Sequence, residues 1–152
     1  MARPSYPLVE ALRITADRLE QGAYYQWTHQ GSCNCGHLAQ TITKLTKSEI
    51  HKIALEKEGN WADKTIDYCK TSGFPIDHVI SSMLDLGMTT EDISNLEKLA
   101  CPKVLKNVDS HKKPLRYNDK GDVILYMRIW ADLLEQEIIN SIKKENTNKV
   151  LV

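Results

Sequence analysis

Apolar side chains recur at three- and four-residue spacing along most of this chain, and the breaks between these stretches fall at glycine, proline and helix-capping residues. After Pro7, the residues Leu8, Ala11, Leu12, Thr15, Ala16 and Leu19 share one helical face that stops at Gly22. A second helix is expected from about Cys35, carrying Leu38, Ile42 and Leu45 inward. Thr46 with Glu49 forms a capping box for a third, whose inner face holds Ile50, Ile53 and Ala54. Asn60 can cap a fourth over residues 61–69. Pro75 opens a fifth through Ile76, Val79, Ile80, Met83 and Leu84, ended by Gly87. Thr89 or Thr90 caps a sixth over Ile93, Leu96 and Leu99. From about Asp122, the positions Ile124, Met127, Trp130, Ala131, Leu134 and Ile138 describe the longest helix.

This pattern predicts an all-α, single-domain irregular bundle of six or seven helices over residues 1–152, with a polar tail at 144–152 expected to fray. The expected core is Leu12, Leu19, Leu38, Ile42, Ile53, Val79, Met83, Ile93, Leu96, Met127, Trp130 and Leu134. One segment reads in two ways. Residues 115–117 and 123–125 flank Asn118, Asp119, Lys120 and Gly121, and this arrangement also fits a small β-hairpin near 115–125.

Charge narrows the choice of partners. Twenty basic and 20 acidic side chains give a net charge of zero, so no overall field draws the chain to nucleic acid or anionic lipid. Residues 80–96 have the outline of a helix-turn-helix, yet Glu91, Asp92 and Glu97 face a single Lys98 there, and phosphates would repel that surface. An αα-hairpin is expected instead, and nucleic acid is not an expected partner. Residues 103–120 hold six basic side chains against two acidic ones and read as a connecting loop. No apolar run approaches the roughly 20 residues of a membrane helix, and the first residues lack a signal peptide's pattern. The expectation is a soluble, cytoplasmic protein whose four cysteines are reduced.

The chemistry concentrates in one string, HQGSCNCGH, which places His29, Cys33, Cys35 and His37 within nine residues. Thiolate and imidazole are the donors that zinc and iron prefer, so the leading expectation is a transition-metal module with these four residues as ligands. His51, Cys69, Asp77 and His78 are further donors that the fold can bring in. A second expectation is an enzyme with Cys35 as nucleophile, since a cysteine that opens a helix has its thiolate stabilised by the helix dipole. The run Gln30-Gly31-Ser32-Cys33-Asn34-Cys35 resembles the segment before the nucleophile of papain-type cysteine peptidases. In that family an aromatic residue follows the nucleophile where this chain has Gly36, and the resemblance covers about six residues. It implies a histidine base, for which His78 or His111 is available. A third expectation is a helical interaction domain with no chemistry of its own. Tyr24, Tyr25 and Trp27, next to the cysteine string, fit the wall of a small-ligand pocket. Nucleotide-loop, dinucleotide, zinc-protease and serine-hydrolase motifs are absent.

Overall fold

Local sequence sets where most of the helices begin. In the computed structural model, which describes residues 2–150, α1 (Tyr6–Glu20) starts at Ser5, whose Oγ accepts the Leu8 N–H. Capping boxes start α3 (Lys47–Ala54) at Thr46 and Glu49, α4 (Trp61–Ile66) at Asn60 and Asp63, and α6 (Thr90–Lys98) at Thr89 and Asp92. Each leaves fewer orphan N–H groups at a helix end, a gain of about 1 kcal/mol per cap. Pro75 occupies the first turn of α5 (Pro75–Asp85), where its missing N–H costs nothing. By contrast, α2 (Asn34–Thr43) begins at Cys33 without any side-chain cap, so its start is held by tertiary contacts.

The described residues contain eight α-helices, one short 3-10 turn at Ser110–Lys112 and no strand. The helix beyond the expected count is α7 (Pro102–Leu105), a single turn too short to show a period. The hairpin alternative fails because Asp119 Oδ1 accepts the Asp122 N–H and so caps α8 (Lys120–Val150) within the supposed turn. Where the sequence suggested fraying after residue 143, α8 continues as helix to Val150, while Leu151 and Val152 lie outside the described residues. None of the described helices is long and apolar enough to cross a membrane.

α1 and α8 run antiparallel. Arg13 pairs with Asp132 and Glu135, while Arg128, one turn earlier on α8, reaches Asp17 and Glu20, one to two turns later on α1. Such exposed pairs contribute little stability and chiefly record the register. The holding force is apolar: Leu8, Leu12 and Leu19 of α1 and Met127 and Leu134 of α8 are fully buried, each worth roughly 1.5–3 kcal/mol. α2 lies at the centre, packed against α1, α3, α5 and α6, and α4 packs on α6. Ten of the twelve expected core residues are buried. The two exceptions, Ile42 and Ile53, are only partly covered, and both lie on the face described under Proposed function.

The loop before α2 and the first turn of α2 approach other backbone so closely that only glycine fits at two positions. A Cβ on Gly31 would stand 1.9 Å from the Lys47 carbonyl oxygen, and one on Gly36 would stand 2.4 Å from that of Gln30. Gly31→Ala and Gly36→Ala should each lower stability in urea unfolding by about 2 kcal/mol or more. Gly121→Ala, whose Cβ meets only the Asp119 side chain at 3.2 Å, should change it by less than about 1 kcal/mol.

Candidate functional site

All nine residues of the stretch 31–39 are buried, so the cysteine string forms part of the interior. Their polar atoms are consumed there one by one. Asn34 Nδ2 donates to the carbonyls of Leu96, Glu97 and Tyr117, and its Oδ1 accepts from Tyr25 Oη at 2.7 Å. The Cys35 thiol donates to the Ile93 carbonyl at 3.2 Å, and the Cys33 thiol reaches Glu97 Oε2 at 3.5 Å. His29 Nδ1 accepts from the Gly31 N–H and the Ser32 hydroxyl. His37 Nδ1 accepts from Arg18, and its Nε2–H donates to the Tyr24 carbonyl at 2.6 Å.

That distribution overturns the metal-binding reading. Among the described residues, no group of three or more His, Cys, Asp or Glu side chains could hold a metal ion. Cys33 is the N-cap of α2 and Cys35 its second residue, and side chains two apart at a helix start do not face one another. His37, a turn further on, has both ring nitrogens engaged by Arg18 and Tyr24. Of the additional donors, His51 does come close, stacking on His29 with ring centroids 4.0 Å apart and accepting the Gln30 N–H. Asp77 is tied instead to Lys57 and Ser72, and Cys69 and His78 are exposed elsewhere.

Cys35 does open a helix, yet its electrostatics run opposite to the expectation. Complete burial pushes its thiol well above the ordinary cysteine value, and the nearby Glu97 and Cys33 charges push in the same direction. Burial, then Glu97, raises Cys33 likewise. A helix dipole supplies at most about 2 kcal/mol, whereas full desolvation shifts a group by up to about 3–5 pKa units, or roughly 4–7 kcal/mol. Burial wins. The two histidines offered as base, His78 and His111, are both solvent-exposed, while Cys35 shows no exposure.

The aromatic residues beside the string also have structural partners. Tyr25 stacks on His37, Trp27 packs against Tyr117 with centroids 4.6 Å apart, and the Lys47 ammonium sits 4.0 Å from the centre of the Tyr24 ring.

Sequence reasoning missed the charged residues that this interior encloses. Glu97 on α6, expected on an acidic surface with Glu91 and Asp92, and Lys64 on α4 are 2% and 1% exposed. Lys64 Nζ donates to the Gly59 carbonyl and to Gln30 Oε1 at 3.4 Å, and desolvation lowers its pKa. Glu97 Oε1 has no partner. Burial pushes Glu97 up to about 7, against the opposing pull of Cys33, the Trp61 N–H and Lys64. The only sequence signal was the placement of Glu97 beside Leu96 on the α6 stripe. Comparison with protein-family models, with curated proteins and with solved structures returned no match.

Two expectations follow. On iodoacetamide labelling resolved by peptide mass, exposed Cys69, whose thiol is lowered by its contacts with Thr71, should react first, with Cys33 and Cys35 silent until the chain unfolds. Labelling of Cys35 as fast as Cys69 would contradict its burial. Second, a carboxyl whose folded pKa is raised above its unfolded value contributes stability below about pH 4.5, and this is lost as pH rises through about 7. Glu97→Gln should therefore match the wild type near pH 4.5 and exceed it at pH 8 by an amount on the order of 3 kcal/mol. Equal stability differences at both pH values in urea unfolding would show that Glu97 titrates normally.

Proposed function

We propose that this chain is a helical interaction module that docks a polypeptide segment of a partner in a furrow around the C-terminal end of α2. The observation that carries this reading is a set of three adjoining depressions on one face. The largest, about 420 Å³, is lined by Thr43, Leu45, Ile53, Pro75 and Val79, with Glu49, His78 and Ser82 beside them. A second, about 240 Å³, shares Leu45 with the first and adds Ile14, Arg18 and Lys44. A third, about 220 Å³, shares Ile14, Thr41 and Lys44 with the second and extends along Ile42, Pro7 and Leu86.

The furrow explains why Ile42 and Ile53 break ranks with the rest of the expected core. Ile53, Ile42, Leu45 and Leu86 are partly exposed, and Ile14 is 38% exposed, so a row of aliphatic side chains faces outward without cover. A concave row of aliphatic side chains flanked by polar residues gives the apolar residues of a docked segment a place to lie. The interior supports the same reading, because the thiols of Cys33 and Cys35 and the imidazole of His37 are held by hydrogen bonds within the core. Four free thiols, three of them buried, fit a reducing compartment, in keeping with a cytoplasmic setting. The partner in this reading is a protein rather than nucleic acid.

A random peptide-display library selected on the wild type and re-screened on Ile53→Glu tests the proposal. Ile53 is half-buried, so the variant should keep its helical circular dichroism. Furrow-binding peptides should lose at least tenfold in affinity on the variant. Selected peptides that bind both proteins equally, or no selected peptides at all, would overturn it.

A further inference from the structure

We infer that the middle of this furrow selects an acidic side chain, so that the docked segment carries Asp or Glu between two apolar residues. The inference rests on the docking reading above and adds the chemistry of the partner to it.

Two cations line the central depression, Arg18 from α1 and Lys44 just past the end of α2. Arg18 donates to Thr41 Oγ1 at 2.7 Å, Gln40 Oε1 at 3.0 Å, the His37 carbonyl and His37 Nδ1. All of these are neutral acceptors. Among the described residues neither Arg18 nor Lys44 forms an ion pair with a carboxylate, although Arg13 and Arg128 each reach two and Lys57 reaches one. No carboxylate lines the central depression, where the negative feature is the C-terminus of α2, whose carbonyls amount to roughly half a charge; Glu10 lines the outer depression that shares Lys44 without forming an ion pair with it. Two full positive charges therefore remain largely uncompensated in a chain whose net charge is zero.

The hydrogen bonds of Arg18 fix its guanidinium in place, so little entropy is lost when an anion docks beside it. Lys44 is exposed and held at φ 65 by the end of the helix, which sets where its stem leaves the backbone while its ammonium stays free to swing. The walls around this pair are aliphatic: Ile14 and Leu45 within the central depression, Ile53 and Val79 on one side, Ile42 and Leu86 on the other. A bare inorganic anion would leave those walls wet. An acidic residue flanked by apolar residues satisfies the cations and covers the walls together. Glu49 in one outer depression and Glu10 in the other make both ends of the furrow negative, which disfavours a segment acidic throughout and restricts the preference to its middle.

The test uses peptides from the display selection, synthesised in acidic form and with the central Asp or Glu replaced by Asn or Gln, titrated into the full chain by calorimetry. The acidic form should bind the wild type at least tenfold tighter, and that advantage should shrink with added salt. Lys44→Glu, at an exposed position outside the core, should remove or reverse the advantage of the acidic form over the neutral form measured on the same variant. Equal binding of acidic and neutral forms by the wild type, with both lost on Ile53→Glu, would overturn the charge selection and leave the docking reading standing. Selected peptides insensitive to Ile53→Glu would overturn both. Because the comparison of the two peptide forms needs no variant, a misfolded Lys44→Glu protein would not blunt the test.

Discussion

The burial of the short stretch 31–39, with its polar atoms paired, is the constraint on which the other elements depend. Loop backbone is placed inside the molecule, where every unpaired N–H or C=O costs about as much as a lost hydrogen bond or more. The structure meets that demand from several helices: Asn34 ties the start of α2 to the end of α6 and to Tyr117, Gln40 Nε2 returns to the Gly31 carbonyl, and Trp61 Nε1 reaches that of Gln30. Gly31 and Gly36 permit the approach by lacking side chains. α2 needs no side-chain cap because the surrounding helices hold its first turn.

Glu97 and Lys64 belong to the same constraint. Packing α4 against α6 encloses one acidic and one basic side chain close to the Cys33 thiol, and both shift toward their neutral forms as water is withdrawn. A carboxylate with one oxygen unpartnered is costly when charged and far less so when protonated. The same withdrawal of water quiets the two thiols. A region that looks reactive as a string of letters thus holds two thiols well above the ordinary cysteine range.

With the interior closed, function moves to the surface, and there the fold leaves a furrow partly uncovered. Its aliphatic row would ordinarily be buried by another element of the same chain, but α1, α2, α3 and α5 meet around the end of α2 without a further helix across them. Arg18 links the two regions. Its guanidinium braces His37 of the buried stretch and Thr41 just beyond it, and the residue lines the central depression, so the side chain that orders α2 also contributes, with Lys44, to the positive charge of the furrow.

Local order was legible in the sequence. Thr46 with Glu49, Asn60, Pro75 and Thr89 announce their helices because capping is decided within four residues, and the stripes Leu8 to Leu19 and Ile76 to Met83 name their buried faces because a helix fixes which positions align. Cys35 was rightly placed at a helix start, but whether that start met water or core depends on helices far along the chain, and this reversed its chemistry. His29, Cys33, Cys35 and His37 are close in sequence, yet whether their donor atoms converge depends on where each side chain points and what competes for its lone pairs. Ile42 and Ile53 carried the same letters as the core residues around them and differ only because nothing packs over them. Periodicity reports which face of a helix is apolar, while the arrangement of helices distant in the chain decides which part of that face is left for a partner.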